Sequence, residues 1–249
     1  MHRFYIEPGS GHSQLLELSE REMHHATRVL RLRGGETVVC LDGAGGEYQC
    51  QVESVRKNSA QLKVLSKREV APLPYQLTLV QAIARGKTME TIIQKATELG
   101  AFRVIPVMAE RSVMQLEEES SEAKVEKWNW IAMDAIKQCG SAWLPKIEKP
   151  LKLPSFLAAK PEAELSLLAS LHEDAQHPRA ILEKFKAKEN RTPTSAMVFV
   201  GPEGDFSPNE LGSIRAAGAL PITLGPLVLR SDTAAIYCLS VLGYELLSA

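Results

Sequence analysis

The chain has 249 residues, enough for one or two domains with buried cores. Its 29 Lys and Arg against 30 Asp and Glu leave a net charge of −1, which excludes a uniformly basic nucleic-acid coat. With 45% hydrophobic and 24% charged residues, wholesale disorder is excluded too.

The first 70 or so residues read as β-rich. Residues 2–7 (HRFYIE) suit a strand. Ser19-Glu20-Arg21-Glu22 has the form of a capping box, predicting a short helix that carries His24, His25 and Arg28 and stops before Gly34-Gly35. Strand-like runs follow at 36–42, 47–56 and 60–66, with Gly43-Ala44-Gly45-Gly46 as a hairpin turn between the first two. No helix follows those glycines, so they are not read as a phosphate loop. Short strands of this kind close most naturally as a small β-barrel. Ala71-Pro72-Leu73-Pro74 marks the boundary between residues 1–72 and 73–249.

Beyond it the pattern alternates. Residues 75–84 suit a strand, and Met89, Ile92, Ile93, Ala96 and Leu99 share a helix face that ends at Gly100. Residues 102–109 suit a strand, with Pro106 marking an edge or a bulge. A long helix within 121–139 puts Trp128, Ile131, Ala132, Ala135 and Cys139 on one face. Strands fit 164–171, 196–200 and 221–224; helices fit 178–187, 208–217 and 233–247. Strands alternating with helices imply a parallel sheet covered on both faces. Cys40, Cys50, Cys139 and Cys238 lie far apart with no CxxC pair, and read as reduced, buried thiols without a disulfide frame or a metal site. No apolar run reaches ~18 residues and MHRFYIEPGS has no signal-peptide core, so a cytoplasmic protein without a membrane is expected.

In an open α/β sheet, ligands bind outside the carboxyl ends of the strands. Three such ends stand out. One is Leu171-His172-Glu173. The second is Gly201-Pro202-Glu203-Gly204-Asp205, followed by a capping box, Ser207-Pro208-Asn209-Glu210. It lacks GxGxxG and GxxxxGK[ST], and its carboxylates would repel a phosphate, so it suits a neutral or cationic ligand. The third, Leu224 to Arg230, is apolar with a single charge. Arg230 is read either as an ion-pair partner of Glu203 or Asp232, or as a substrate contact.

The strand-GPEG-x-FSPNE run followed by LGP-x-x-LR-x-x-TA resembles the C-terminal half of the RsmE family, SPOUT-class methyltransferases. These methylate N3 of a uridine in small-subunit (16S) ribosomal RNA with S-adenosylmethionine. Upstream, Met89-Glu90, the run Ile93 to Gly100 and Glu110-Arg111-Ser112 resemble the same family, and HHATRVLRLRGGETVVCLDGAGGEY resembles its PUA-like RNA-binding barrel. The resemblance implies an α/β fold: a SPOUT trefoil-knot domain with a parallel sheet over 73–249, and an N-terminal PUA-like β-barrel over 1–72. It implies a homodimer through the knot domain, no metal, and small-subunit rRNA or the assembled subunit as substrate. Carried over, the cofactor positions are Leu171, His172, Gly201, Glu203, Gly204, Leu224, Gly225, Leu227, Val228, Leu229 and Thr233. Three positions depart from the common pattern: Asp205 replaces the last glycine of GPEGG, Ser141 a basic residue, and Lys137 an acidic one.

For methyl transfer, a fixed cation beside the uracil oxygens would stabilise the N3 anion. Arg230 is the candidate, with Glu203 as its orienter or as the base. The expected RNA footprint is Arg3, Arg28, Arg31, Arg33, Lys87 and Arg111. Residues 21–33 hold four basic and one acidic residue, whereas 200–249 hold five acidic and two basic. The near-zero net charge is thus a sum of unlike regions. The rival reading is a non-catalytic RNA-binding or ribosome-assembly factor on the same fold, which would not bind S-adenosylmethionine.

Overall fold

A computed structural model describes residues 1–24, 26, 30–56, 59–112 and 118–247. The chain divides into two units, Met1–Pro72 with Met133–Leu144, and Leu73–Ala132 with Pro145–Ala249.

The first unit is built on β1 (Arg3–Tyr5), β2 (Leu15–Glu17), α1 (Glu20–His24), β3 (Thr37–Leu41), β4 (Gly46–Val55) and β5 (Ala60–Glu69). The strand order is β1-β3-β4-β5-β2. All pairs are antiparallel except β1 with β3. Period-two alternation puts Tyr48, Cys50 and Val52 of β4 inside and Gln49, Gln51 and Glu53 outside. The two edge strands send Phe4 and Leu16 into that same core, so the sheet curls around it. The glycine run after β3 is a turn, as its lack of a following helix predicts. The buried Asp42 fixes it: one carboxylate oxygen accepts from the N–H groups of Ala44 (2.9 Å) and Gly46 (2.7 Å), the other from the Tyr48 hydroxyl (3.2 Å).

The capping box at Ser19 forms by half. Ser19 Oγ accepts from the Glu22 N–H at 3.4 Å, but the Glu22 carboxylate turns to Lys137 Nζ, 2.6 Å away. Lys137 lies in the last turn of α3 (Glu118–Cys139), whose end counts with this unit. Arg3 donates to the carbonyls of Lys137 and Gln138, both at 3.1 Å, and so closes that helix terminus. Trp128, Ala132 and Ala135 of α3 are buried as their spacing predicts; Cys139 is exposed instead, because the buried face of the last turn is taken by Ile136, packed with Tyr5, Leu41 and Ala142. Cys40, Cys50 and Cys238 are buried free thiols.

The second unit carries a parallel sheet in the order β12-β10-β11-β6-β7-β8, with β9 also on β7. Its strands are β6 (Gln76–Ala82), β7 (Arg103–Met108), β8 (Lys146–Ile147), β9 (Leu151–Lys152), β10 (Leu165–Ala169), β11 (Ser195–Val200) and β12 (Leu220–Ile222). Every pairing among them is parallel. One face packs Val80, Ile105, Met197 and Phe199 against α4 (Leu153–Ala158) and α6 (Pro208–Ala216). Alternate residues, such as Leu79 and Val198, point the other way. On that side lie α2 (Lys87–Glu98), α5 (Pro178–Glu189) and α7 (Ser231–Leu247).

Pro106 neither bulges β7 nor puts it at an edge. The β6–β7 register is unbroken, and β7 has neighbours on both sides. The Val107 carbonyl accepts from Ile83 on the β6 side, so alternation turns the Pro106 nitrogen the other way. There the neighbouring strand is itself interrupted: β8 pairs Arg103 and Val104, and β9 pairs Val107 and Met108. The missing N–H falls in the gap between them. At the opposite end of the sheet, Glu164 is clasped by Arg191 at 2.7 and 2.9 Å and by the Thr194 N–H at 2.7 Å, which pins the approaches to β10 and β11 together.

Candidate active site

At the carboxyl ends of β10, β11 and β12 the chain forms one cleft. Its lining includes Leu171, Gly201, Glu203, Leu224, Gly225, Leu227, Val228 and Leu229, eight of the eleven positions expected to meet the cofactor. The other three are not among that lining. His172 turns its N–H to Ser170 Oγ (3.2 Å), the Gly204 carbonyl accepts from Arg111 (2.9 Å), and Thr233 is exposed on α7. Sequence reasoning passed over Ser170, Pro202, Ser231 and Ala234, which also line the cleft, because small residues at strand and helix ends carry no pattern of their own.

Three large apolar side chains stay open at the cleft: Leu171 is 60%, Leu227 71% and Val228 80% exposed. Apolar groups grouped at one strand-end site mark a ligand surface rather than scattered exposure. The main-chain groups of Leu224, Leu227, Val228 and Leu229 make no hydrogen bond among the described residues. Gly225 turns that segment at φ 105°, a conformation glycine adopts without strain. Free donors and acceptors beside apolar side chains suit a flat heteroaromatic ring read by main-chain groups.

The loop after β11 is held from within. A Cβ on Gly201 would lie 3.0 Å from Asp205 Oδ1 and 3.2 Å from the Phe206 nitrogen, so this glycine serves the loop's own packing. Asp205 takes φ 59°, and its Oδ1 accepts from the Phe206 N–H at 2.7 Å. Asp is among the few L residues that visit this region. The capping box at Ser207 is complete. Ser207 Oγ accepts from Glu210 N–H (3.3 Å), and Glu210 Oε2 accepts from Ser207 N–H (2.9 Å). Glu210 Oε1 accepts from the Glu110 N–H at 2.8 Å, tying in the loop after β7. Beside the segment after β10, Arg215 forms a two-point pair with Asp174 at 2.7 and 2.9 Å and holds that carboxyl below its ordinary range.

Arg230 is exposed and makes no side-chain hydrogen bond or ion pair among the described residues. The pairing considered with Glu203 or Asp232 is not formed: Asp232 turns its carboxylate to the Thr233 N–H (2.8 Å), and Glu203 accepts no hydrogen bond among the described residues. Glu203 therefore does not orient Arg230 in this structure. The expected RNA contacts also separate. Arg3 and Arg111 are engaged with main-chain carbonyls, Arg31 (φ 52°), Arg33 and Lys87 are exposed, and Arg28 lies outside the described residues. Among the described residues no group of His, Cys, Asp and Glu could hold a metal, and no helix is long and apolar enough to cross a membrane.

Comparison with known proteins matches residues 71–243 to a family described as RNA methyltransferase domain and residues 18–65 to one described as RNA methyltransferase PUA domain. A Synechocystis relative, ribosomal RNA small subunit methyltransferase E, is 32% identical over 94% of this chain and 74% of its own. A Legionella pneumophila methyltransferase solved with bound S-adenosylmethionine superposes with a TM-score of 0.86, at 32% identity over 98% of both chains. The ribosomal RNA small subunit methyltransferase E of Neisseria gonorrhoeae, solved bound to S-adenosylmethionine, gives a TM-score of 0.85 at 26% identity over 98% of both chains.

Proposed function

The chain belongs to the ribosomal RNA small subunit methyltransferase E family, and on that premise we propose that it methylates N3 of one uridine in 16S ribosomal RNA. It is an rRNA methyltransferase, and S-adenosylmethionine is its methyl donor. When bound, that cofactor supplies an electrophilic methyl group on a sulfonium.

The residues present fit it. Leu171, Leu227 and Val228 offer apolar surface to the adenine, and the free main-chain groups of Leu224, Leu227, Val228 and Leu229 offer donors and acceptors to its edge. Glu203 and Asp205 bring negative charge to a cleft that must take a cation.

To accept a methyl group, uridine N3 must lose its proton. The charge spreads to the uracil oxygens. Arg230, at the start of α7 beside the cleft, stabilises that charge; an unpaired guanidinium has its donors available for it. Of the two carboxylates lining the cleft, Asp205 is engaged by Phe206, whereas Glu203 is not. We therefore assign Glu203 the role of proton acceptor.

We assign RNA capture to the first unit and methyl transfer to the second. The return of α7 from edge strand β12 to pack on β6 and β11 supports the knotted path of the family. On α7, Thr233, Tyr237, Ser240, Tyr244 and Leu247 form one exposed stripe at three- and four-residue spacing, which supports a homodimer through this helix. We place the protein in the cytoplasm, where its substrate is assembled.

The observation that carries the reading is the convergence of exposed apolar side chains, free main-chain groups and an unpaired arginine at three parallel strand ends. The test is nucleoside mass spectrometry of 16S rRNA from a deletion strain. Loss of N3-methyluridine alone, restored by the wild-type gene, is expected; persistence of that nucleoside would overturn the assignment.

A further inference from the structure

Gln81 is fully buried in β6, level with Val200 of β11. The neighbouring positions Leu77, Leu79 and Val80 are apolar, as a strand covered on both faces requires. A glutamine there must place its amide. Its Nε2 donates to the Ala82 carbonyl and to Ser231 Oγ, both at 2.9 Å. Ser231 Oγ donates in turn to the Gly201 carbonyl, again at 2.9 Å.

The direction of this relay is forced. The Ala82 carbonyl can only accept, so the Gln81 amide nitrogen must face it. The second amide hydrogen then goes to Ser231, whose single hydroxyl proton is left for Gly201. The arrangement leaves Gln81 Oε1 buried with no hydrogen-bond partner among the described residues. Buried polar groups are nearly always paired, so an exception calls for a reason. The relay joins the central strand to both segments that shape the cleft: Gly201 opens the loop bearing Glu203, and Ser231 follows Arg230 directly.

We infer that Gln81 is a positioning residue for methyl transfer, holding Arg230 in register with the Gly201–Asp205 loop through the Ser231 hydroxyl. The inference rests on the methyltransferase reading above. It touches no reacting atom, so its loss should misplace the cation while sparing the cofactor surface.

The test compares Gln81→Met, Ser231→Ala, Ser231→Thr and the Gln81→Met/Ser231→Ala double variant. Turnover is measured on 16S rRNA well below the unfolding temperature. Expected are a kcat at least ~10-fold lower for Gln81→Met and Ser231→Ala, with KM for S-adenosylmethionine within ~3-fold for Gln81→Met, and a kcat for Ser231→Thr, which keeps the hydroxyl, well above that of Ser231→Ala. The double variant should be no worse than Ser231→Ala alone. Unchanged kcat with only a lowered melting temperature would overturn the inference. Amide hydrogen exchange on the cofactor-free protein decides independently of activity. Gln81→Met should speed exchange at Asp205, Phe206 and Ala234, and unchanged protection there would overturn the inference. A wild-type protein that transfers no methyl group would instead overturn the methyltransferase reading, leaving exchange to decide the role of Gln81.

Discussion

Lys137 Nζ lies 2.6 Å from Glu22 Oε1, with the two side chains only 11% and 5% exposed. A buried carboxylate thus answers the lysine at this position. A second contact, to Asp134 at 2.9 Å, is more open. Lys137→Met should therefore strand a buried carboxylate and cost the first unit about 3–5 kcal/mol, whereas adding Glu22→Leu should recover most of it. Urea unfolding of both variants at neutral pH measures this. A single variant as stable as wild type would show that Glu22 is not held by Lys137.

Asp205 predicts an order of stabilities. Its φ of 59° disfavours any residue with a Cβ, but its side chain repays part of that strain by accepting from Phe206 N–H. Asp205→Gly removes strain and hydrogen bond together and should fall within ~0.5 kcal/mol of wild type. Asp205→Ala keeps the strain without the bond and should lose about 1 kcal/mol. An alanine variant as stable as the glycine one would contradict this account.

Arg230→Ala should lower kcat by roughly 10²–10³-fold, the scale of removing one preorganised donor from a developing anion. The affinity for S-adenosylmethionine should stay within ~3-fold, because the apolar and main-chain surface of the cleft is intact. Calorimetry and single-turnover methylation separate the two quantities. Normal turnover would remove Arg230 from the chemistry.

The Glu164 clasp sets a pH dependence. Its hydrogen bonds from Arg191, then from Thr194, hold the Glu164 carboxyl down at about 2. An unfolded Glu titrates near ~4.3, so the clasp contributes fully above that pH and is lost as pH falls through about 2. Glu164→Gln should be less stable than wild type at neutral pH, and the difference should shrink steadily between those two values. A constant difference across that window would show that the carboxylate charge is not what the clasp uses.

Much of this is legible in the sequence, and the reason is that its signals are local. The continuous apolar runs of β6 and β11 and the 3.6 spacing of α2 are local properties, so the strand ends and their loops follow from them. What was not legible depends on partners distant in sequence. Pro106 looked like an edge because nothing local reveals that β8 and β9 leave a gap beside it. Glu22 looked like the second half of a capping box because Lys137, 115 positions on, does not show in the local pattern. Nothing local marks Gln81 within β6, because the partner that gives its amide a purpose, Ser231, is 150 positions away.

Arg3 and the pair Arg31 and Arg33 test the RNA footprint against each other. All three are exposed basic residues of the first unit, and all three belong to the expected RNA footprint. Arg3 already donates to the carbonyls of Lys137 and Gln138, and its guanidinium lies where a Cβ on Gly140 would meet it at 3.0 Å. The Arg31 and Arg33 side chains have no such partner among the described residues. A phosphate contact shows itself in the salt dependence of binding, losing about 0.7–0.9 of the log–log slope for each contact removed. The Arg31→Ala/Arg33→Ala variant should thus bind rRNA with a slope shallower by up to ~1.8 and keep its melting temperature. Arg3→Ala should do the reverse: it leaves a helix terminus uncapped, so stability falls by about 1 kcal/mol while the slope stays near wild type. Filter binding across a salt series, paired with thermal melts, separates the two. An unchanged slope in the double variant would move the footprint to another face of the protein.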